Sequence, residues 1–471
     1  MIPSAGKPMT NNFSLLSSSH QLTGIDQEHQ HVAEDGSEEE ESKSAMPKTA
    51  TWQSVGLLLI ADVVGAGVMT LATAFAELGW VLSLTSLVFW YVASMYVGLL
   101  VQTAHVAYPE CENFMQLGKA SFGRKAELCA GVLVYVFVFF ALGDYVLILG
   151  ETLEMMSTTA ESAMGEQGNG SKCAHLFYSF IASILLLPLS TVRLLGNTTG
   201  MMLVNAISIL ASLLIAFVGV AVDRANVDTV NPIPQTEWFS SQLSLYTFFH
   251  AQALFAFAFS GAYLYLEIIA EMQDSREFRK SLLYLSGPFQ FSIYLLAGSV
   301  GYLLFGSKAN GLLIKMVPFG FCYQLAAFLL SVHMVLTFLV KGTILSRAVH
   351  TYLFPVSARD FKSWHAQRVF VCICVLLIAG CFLVANLVPF FDDLTSLLGA
   401  MNAPWIGYVM PVLFAIKAKK LLQFEPSKGE LAVMYLLCMF MGMLFVFGVV
   451  SSFENIVTKW ATYGKPFAGC L

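Results

Sequence analysis

The chain has 471 residues, of which 57% are hydrophobic and only 12% are charged. A typical soluble chain is about 25% charged, so this composition excludes a disordered chain, a fibrous repeat and most soluble enzymes. The net charge of −6, without a basic stripe, argues against a nucleic-acid partner. Composition and length therefore predict one integral membrane body with many spans.

The first fifty residues differ from the rest of the chain. They contain no apolar stretch long enough to span a membrane, and they carry an acidic run from Glu34 to Glu41. Such a segment buries too little apolar surface to offset its ordering entropy, so residues 1–50 are predicted to be a disordered acidic tail. Ser37 and Ser42 lie in acidic context and suggest a phosphorylation or trafficking role. A purely solvated tail remains the alternative.

Eleven apolar segments are predicted to cross the membrane as helices, each of which needs about 20 mostly apolar residues. Helices are favoured over strands because a single helix satisfies its own backbone groups. The predicted spans are 52–76, 80–104, 127–153, 174–192, 198–222, 246–270, 283–306, 317–340, 367–389, 391–416 and 430–453. They form a predicted all-α membrane domain over residues 51–455, followed by a short C-terminal tail, 456–471.

The distribution of Lys and Arg predicts the orientation of these spans. If the N-terminus lies in the cytoplasm, nineteen of the 25 cations fall on the cytoplasmic side and six on the other. This predicts a cytoplasmic acidic tail and an extracytoplasmic C-terminus. Lys341, at the end of the eighth span, is counted as cytoplasmic and is expected to extend to that surface. The six extracytoplasmic cations are Lys172, Arg224, Lys308, Lys315, Lys459 and Lys465.

Two features fit the predicted extracytoplasmic face. Asn169 begins a glycosylation sequon in the loop before the fourth span. Cys173 and Cys322 both fall near this face and are candidates for a disulfide in an oxidising compartment. The nine cysteines form no CxxC pair and no His/Cys cluster at zinc spacing, so no metal and no cofactor are expected.

Two of the predicted spans contain glycine interruptions at corresponding positions. Val64–Val68 interrupts the first span and Phe257–Ala262 interrupts the sixth. These spans open two sets of five, 52–222 and 246–417, and an odd number of crossings inverts the second set relative to the first. The pattern predicts a five-plus-five inverted repeat with broken helices 1 and 6 and an extra helix, 430–453. Close helix packing at the glycines is the alternative interpretation.

The interruptions also predict a chemistry. A helix half that begins after Gly67 offers N–H donors and a positive dipole end, which suit a carboxylate. Free carbonyls in the sixth span can accept from an ammonium, so the two together suit the head group of an amino acid. The predicted substrate-binding residues are Gly65, Ala66, Gly67, Val68, Tyr145, Phe257, Phe259, Ser260 and Gly261.

Charges within the spans need a reason, because an Asp at mid-bilayer costs about 2.5–3.5 kcal/mol on insertion scales. Asp62 lies three residues before Gly65, on the same helix face. It is predicted to carry a coupling proton or to help coordinate Na⁺. Glu267 is predicted to have a gating or structural role. His250 opens the sixth span and titrates near neutrality if unperturbed, although a lone buried His is more often structural.

Several of these motifs resemble one family. Gly65–Met69 followed by Ala74–Trp80 resembles the first span of the amino acid/auxin permease family, and the likeness extends from about Trp52 to Val450. Each motif is modest, but their order and spacing together are specific. The other similar stretches are Tyr108–Glu110 with Ala120–Arg124, Ala256–Gly261 with Leu266–Ile268, Gly301–Tyr302 with Phe305–Gly306, and Pro389–Phe391 with Gly399–Ala400 and Pro411.

The resemblance implies a LeuT-type inverted-repeat fold and transport of amino acids, usually coupled to H⁺ and sometimes to Na⁺. Asp62 stands where similar microbial members have an acidic residue, which favours H⁺. Leu71-Ala72 replaces the family's common Leu-Pro, and Lys341-Gly342 stands where many members have a proline. These departures leave the preferred amino acid side chain open.

The expected function is therefore a proton-coupled amino acid transporter in the plasma membrane or in a vacuolar or lysosomal membrane. A Na⁺-coupled transporter and an amino-acid-sensing receptor that uses the same pocket are the alternatives. An intramembrane enzyme is disfavoured, because the sequence contains no GxSxG, HExxH or His-rich motif. The expected partners are an amino acid, the coupling ion and the lipid bilayer.

Overall fold

The computed structural model describes residues 50–158, 174–191, 198–226, 234–309, 311–359, 363–388 and 390–463, and these are almost entirely helical. The predicted acidic tail lies outside them. The helices of the first half are α1 Trp52–Val63, α2 Leu71–Ala107, α3 Phe114–Phe122, α4 Arg124–Ser157, α5 Ala174–Ser190 and α6 Thr198–Asn226. Those of the second half are α7 Leu245–Ala258, α8 Ala262–Ala270, α9 Gly287–Phe305, α10 Phe321–Leu353, α11 Pro355–Arg359, α12 Trp364–Leu387, α13 Phe391–Met401, α14 Met410–Leu421, α15 Lys428–Met443 and α16 Val449–Tyr463.

The all-helical membrane architecture is confirmed. Within the described ranges, eight helical segments are long and apolar enough to cross a membrane, and nine if the pair α13 and Ala403–Leu421, bent by 46°, is one span. The predicted number is eleven. The difference arises because the first two predicted spans join into one helical stretch, Ala66–Ala107, and because α5 has only 17 residues. The eleven crossings therefore stay a prediction.

A sharp kink divides this joined stretch at Gly79, between the first two predicted spans. Gly79 has φ 78° and ψ 176°, a conformation that side-chain-bearing residues rarely adopt. A Cβ atom there would also lie 2.8 Å from the backbone nitrogen of Ser240 and 2.9 Å from the Cα of Phe239. Glycine therefore allows both the turn and the close passage of the neighbouring loop.

Two helical segments are interrupted at the glycine-containing stretches noted in the sequence. α1 ends at Val63, Gly65 is extended, and a short 3₁₀ turn, Ala66–Thr70, leads into α2. α7 ends at Ala258 and α8 begins at Ala262. Each segment is thus divided into two helix halves.

The interrupted segment Leu245–Ala270 lies at the centre of the helix bundle. In its most apolar stretch 83% of the residues are buried, against 28% for Lys428–Ala461. α13 packs on α7, α9 and α14 pack on α2, and α10 packs between α4 and α6. The final helices therefore lie at the periphery, and the interruptions face the interior.

Backbone hydrogen bonds join the start of α1 to the end of α8. Ala50 N–H donates to Glu271 O (3.1 Å), and Gln273 N–H donates to Ala50 O (3.0 Å), which makes an isolated parallel β-bridge of Ala50 with Met272. This bridge ties one half of the first interrupted segment to one half of the second.

The contact of α13 with α7 predicts a strong effect of Gly399→Ala. A Cβ atom at Gly399 would lie 2.0 Å from Ala253 O, so the two helices must separate to accept it. Overpacking of this kind typically costs about 1–3 kcal/mol, and we expect a clearly lower unfolding temperature in detergent, measured by intrinsic fluorescence.

Gly442→Ala is the matched control, since nothing lies within 4 Å of the added atom and the residue is exposed within α15. Its unfolding temperature should equal that of the wild type or exceed it slightly, because alanine favours a helix interior over glycine. Equal unfolding temperatures for the two variants would contradict the close contact at Gly399.

Candidate functional site

A cavity of about 40 Å³ lies between the two interruptions. This volume is far below the roughly 300–1,000 Å³ of a typical small-molecule pocket. The wall of the cavity must therefore move before such a molecule can enter. The residues that line it are Asp62, Gly65, Ala66, Gly67, Phe137, Ala141, Tyr145, Phe257, Ala258, Ser260, Gly261, Tyr263 and Lys341.

The first interruption presents backbone amides to the cavity. The first hydrogen bond of the turn Ala66–Thr70 is donated by Val68 N–H to Gly65 O (3.1 Å). The amides of Ala66 and Gly67 therefore have no carbonyl partner within that turn, as at any helix start. Both residues line the cavity, so this wall offers N–H donors that suit an anionic group.

The carbonyls freed by the interruptions are largely bonded to side chains. Tyr294 Oη donates to Ala258 O (2.7 Å), and Ser260 Oγ donates to Phe257 O (2.9 Å). In the first interruption, Thr70 Oγ1 donates to Gly67 O (3.0 Å). These hydroxyl groups stabilise irregular backbone within an apolar interior, where an unpaired carbonyl is costly.

An ion pair lies on the wall of the cavity. Lys341 Nζ is 3.4 Å from Asp62 Oδ1 and donates to Tyr145 Oη at 3.2 Å. The side chains of Lys341 and Asp62 are each only 12% exposed. Three separate helices, α1, α4 and α10, thus contribute Asp62, Tyr145 and Lys341 to the site.

The expectation that Lys341 extends to the cytoplasmic surface is wrong. α10 continues to Leu353, well past the predicted end of the eighth span at residue 340, so Lys341 lies within the helix rather than at its end. The attraction of Asp62 and the hydroxyl of Tyr145 hold the ammonium inward instead. Sequence reasoning treated the charge as a span boundary and so missed its partner.

Aromatic side chains form the rest of the wall. Phe137 packs edge-on against Tyr263, with ring centroids 5.3 Å apart, and lies 6.2 Å from the ring of Phe257. Phe137 and Tyr263 were not predicted as site residues. A helical spacing of four residues from Tyr145 leads to Ala141 and then to Phe137, so periodicity on α4 carried a usable signal.

His333 adds a buried polar atom beside the first interruption. Its Nδ1 is 3.0 Å from Asn205 O, and its Nε2 has no hydrogen-bond partner among the described residues. A Cβ atom on Gly65 would lie 4.0 Å from this Nε2. The imidazole therefore packs against the glycine of the interruption.

Most, but not all, of the predicted site residues meet at the cavity. Those on its wall are Asp62, Gly65, Ala66, Gly67, Tyr145, Phe257, Ser260 and Gly261. Val68 and Phe259 are buried but do not line it, and the Phe259 ring packs on Tyr294 at 5.0 Å. Glu267 lies further along α8, away from the wall.

The predictions for the extracytoplasmic loop are not tested by the structure. Asn169 and Cys173 lie outside the described residues, while Cys322 lies in the first turn of α10 and is half-buried. The predicted glycosylation and the predicted disulfide therefore stay predictions.

A helical membrane bundle whose two interrupted segments enclose a partly charged cavity is the architecture of a substrate-translocating protein. The profile of the family described as "Transmembrane amino acid transporter protein" matches residues 48–453. The chain therefore belongs to that family of transporters, as the resemblance implied, and not to a family of enzymes.

Curated relatives agree with this membership. The chain is 23% identical to the N amino acid transport system protein of Neurospora crassa, with 88% of this chain and 87% of that protein covered. It is 24% identical to Amino acid permease 8 of Arabidopsis thaliana, with 89% and 94% covered. Amino acid transporter AVT3B of the same plant is 25% identical, with 79% and 86% covered.

A solved structure shares the fold. The crystal structure of MhsT in complex with L-phenylalanine matches with a TM-score of 0.55 and 14% identity, covering 86% of this chain and 99% of that one. MhsT is a LeuT-fold protein, so the chain has a LeuT-type fold at this level of detail.

The ion pair predicts that Lys341→Met destabilises the protein through Asp62. Removal of one partner leaves the other charge buried and unpaired, which typically costs about 3–5 kcal/mol, whereas removal of both is often neutral. We therefore expect a lower unfolding temperature for Lys341→Met and recovery in the double variant Asp62→Asn/Lys341→Met. If the double variant is no more stable than Lys341→Met alone, the two side chains are not coupled.

Proposed function

We propose that this protein is a secondary active amino acid transporter, coupled to H⁺, that works by alternating access around the cavity between the two interrupted segments. The observation that carries the proposal is the Asp62–Lys341 ion pair on the wall of that cavity, beside the backbone amides of Ala66 and Gly67. The family membership and the relatives support amino acids as the substrate class.

In the proposed bound state, the amides of Ala66 and Gly67 receive the carboxylate of the amino acid. Oxygen atoms of the second interruption, around Ser260, face the ammonium. The aromatic wall of Phe137, Phe257 and Tyr263 then contacts the substrate side chain. The bound L-phenylalanine of MhsT supports a ligand of this size and class in the shared fold.

The ion pair supplies a link between proton binding and substrate binding. With Asp62 ionised, its carboxylate forms an ion pair with the Lys341 ammonium. A proton on Asp62 removes that partner and leaves the ammonium for the substrate carboxylate. Proton and amino acid then favour each other's binding, which is the thermodynamic requirement for symport.

The same geometry disfavours Na⁺ as the ion bound at Asp62. A sodium ion on this carboxylate would lie close to the Lys341 ammonium, which is only 3.4 Å from Asp62 Oδ1. Two cations at such a distance repel each other strongly in a weakly polarisable interior. A proton avoids this repulsion because it neutralises the carboxylate without adding a second ion.

Alternating access requires contacts that break and re-form on each face. The wall of the small cavity must open before an amino acid enters. The bridge of Ala50 with Met272 holds the start of α1 against the end of α8. We propose that this bridge lies on the cytoplasmic face, in line with the predicted cytoplasmic N-terminus, and opens when substrate is released there.

Asp62→Asn tests the coupling. The amide imitates the protonated carboxyl, so the variant should bind and exchange amino acids but should not accumulate them under a pH gradient. Uptake of labelled amino acids into proteoliposomes, with H⁺ and Na⁺ gradients applied separately, measures both activities. We expect at least a tenfold loss of gradient-driven uptake with exchange retained.

Asp223→Asn, the same change at an exposed position at the end of α6, is the control and should keep wild-type coupling. Proton-driven accumulation in Asp62→Asn would remove Asp62 as the carrier. Accumulation driven only by Na⁺ would overturn the choice of ion. No amino acid uptake by the wild type under either gradient would overturn the proposed function.

Deletion of the acidic tail separates a transporter from a receptor. Residues Lys48–Leu471 form a compact unit of their own, so removal of residues 1–47 leaves the site and the bridge of Ala50 with Met272 in place. We expect the truncated protein to retain proton-driven uptake in proteoliposomes. A truncated protein that binds but does not transport would favour a tail-dependent sensing role.

A further inference from the structure

A second group of buried charges lies outside the cavity. His250 Nδ1 is 2.8 and 2.9 Å from the two carboxylate oxygens of Glu77, and His250 Nε2 is 3.6 Å from Asp393 Oδ1. Lys459 Nζ is 2.6 Å from Asp393 Oδ2 and 3.2 Å from Asp392 Oδ2. We call these five residues the His250 cluster.

The cluster joins four helices, including one half of each interrupted segment. Glu77 lies on α2 between the first interruption and the kink, and His250 lies on α7 before the second interruption. The two aspartates open α13, and Lys459 lies on α16. No member lines the cavity, so the cluster is a separate feature that connects a half of each interrupted segment to α13 and α16.

Burial makes the charge balance of the cluster important. The side chains of His250 and Asp393 are 1% and 0% exposed, whereas Glu77 is 21% exposed. Three carboxylates face a single lysine, so a neutral imidazole would leave two uncompensated negative charges in a largely buried site. Uncompensated charge of this kind is expensive in a membrane protein interior.

The geometry of the imidazole points to the same state. A neutral imidazole carries only one N–H, whereas the imidazolium carries two. Both ring nitrogens of His250 face carboxylate oxygens, so only the imidazolium can donate toward Glu77 and balance Asp393 at once. The partial exposure of Glu77 provides a route for the proton from the adjacent surface.

We propose that the His250 cluster is a second proton-binding site, distinct from Asp62, whose bound proton holds the α2 and α7 halves of the interrupted segments against α13. Loss of this proton leaves His250 uncharged with a single N–H, which removes its electrostatic attraction to both Glu77 and Asp393. The tie between the two helix halves and α13 then weakens on that face. The facing charged groups are Glu77, Asp392, Asp393 and Lys459. The effect of this proton on the rate of amino acid exchange rests on the proposed transport function, whereas the protonation state of His250 does not.

The protonation state is tested by ¹⁵N-histidine NMR of the full-length protein in proteoliposomes. At pH 7.5 the wild type should show an imidazolium signal that is absent from His250→Gln and present in His175→Gln. His175 is the matched control, since its Nε2 faces a neutral backbone carbonyl, Ala385 O, at 3.3 Å. A neutral imidazole signal assigned to His250 at this pH would overturn the proposal.

Glu77→Gln provides a second variant that keeps His250 and the size of its neighbour. Removal of one carboxylate should destabilise the imidazolium, so that His250 loses its proton at a pH about one unit or more below that of the wild type. An unchanged titration would show that Glu77 does not hold the proton, and would overturn the cluster as described.

The conformational role is tested by amino acid exchange at equal pH on both sides of the membrane. The wild type and His175→Gln should show the same change of exchange rate with pH. In His250→Gln this change should be severalfold smaller, with only the part due to Asp62 remaining. A wild-type pH profile in His250→Gln would overturn the role of this proton in holding the helix halves. If no amino acid is exchanged by any variant, the proposed function fails, while the NMR result still decides the proton site.

Discussion

The demand that every backbone polar group in a membrane interior finds a partner shapes the centre of this protein. Where α7 stops at Ala258, the freed carbonyl is bonded by Tyr294, and Ser260 and Thr70 bond Phe257 O and Gly67 O. The amides of Ala66 and Gly67, at the start of their turn and on the cavity wall, have no partner within that turn. The cavity therefore has a polarity that the interruptions themselves create.

This polarity also explains why charges are tolerated there. An isolated Asp62 would be costly, but Lys341 pairs with it from α10 and is itself held by the hydroxyl of Tyr145 on α4. The arrangement requires α10 to carry a lysine well inside its length. The free-energy cost of burying these charges is consistent with a pair that separates and re-forms during the proposed transport cycle, rather than one that serves stability alone.

The sequence predicts those site residues that differ from the apolar composition of the spans around them. Glycine and serine within apolar runs indicate the interruptions, and Asp62 stands out because ionisable residues are rare in spans. Phe137 and Tyr263 were missed because aromatic residues in apolar spans look the same whether they face lipid or a cavity. Lys341 was misplaced because a charge after an apolar run is usually a span end, and only the partner on α1 distinguishes the two cases.

Long-range groupings lie further beyond sequence reasoning. The members of the His250 cluster are scattered from Glu77 to Lys459, and no local spacing connects them. The number of crossings suffers from a related problem, since the division at Gly79 and the short α5 are matters of backbone geometry and helix length rather than of composition. Periodicity and charge predict what each segment is, whereas the pairing of segments depends on packing.

The two ties between the interrupted segments differ in chemistry, and this difference has a mechanical consequence. At one end, α1 is joined to α8 by backbone hydrogen bonds through Ala50, which do not titrate between pH 5 and 8. At the other end, the α2 and α7 halves meet through the contact of Glu77 with His250, the residue proposed to carry a proton. Under the proposed alternating access, each end must open in turn. Protons can then act directly on the His250 end, whereas Asp62 at the cavity links them to the Ala50 end through α1, so a pH gradient biases the two openings differently.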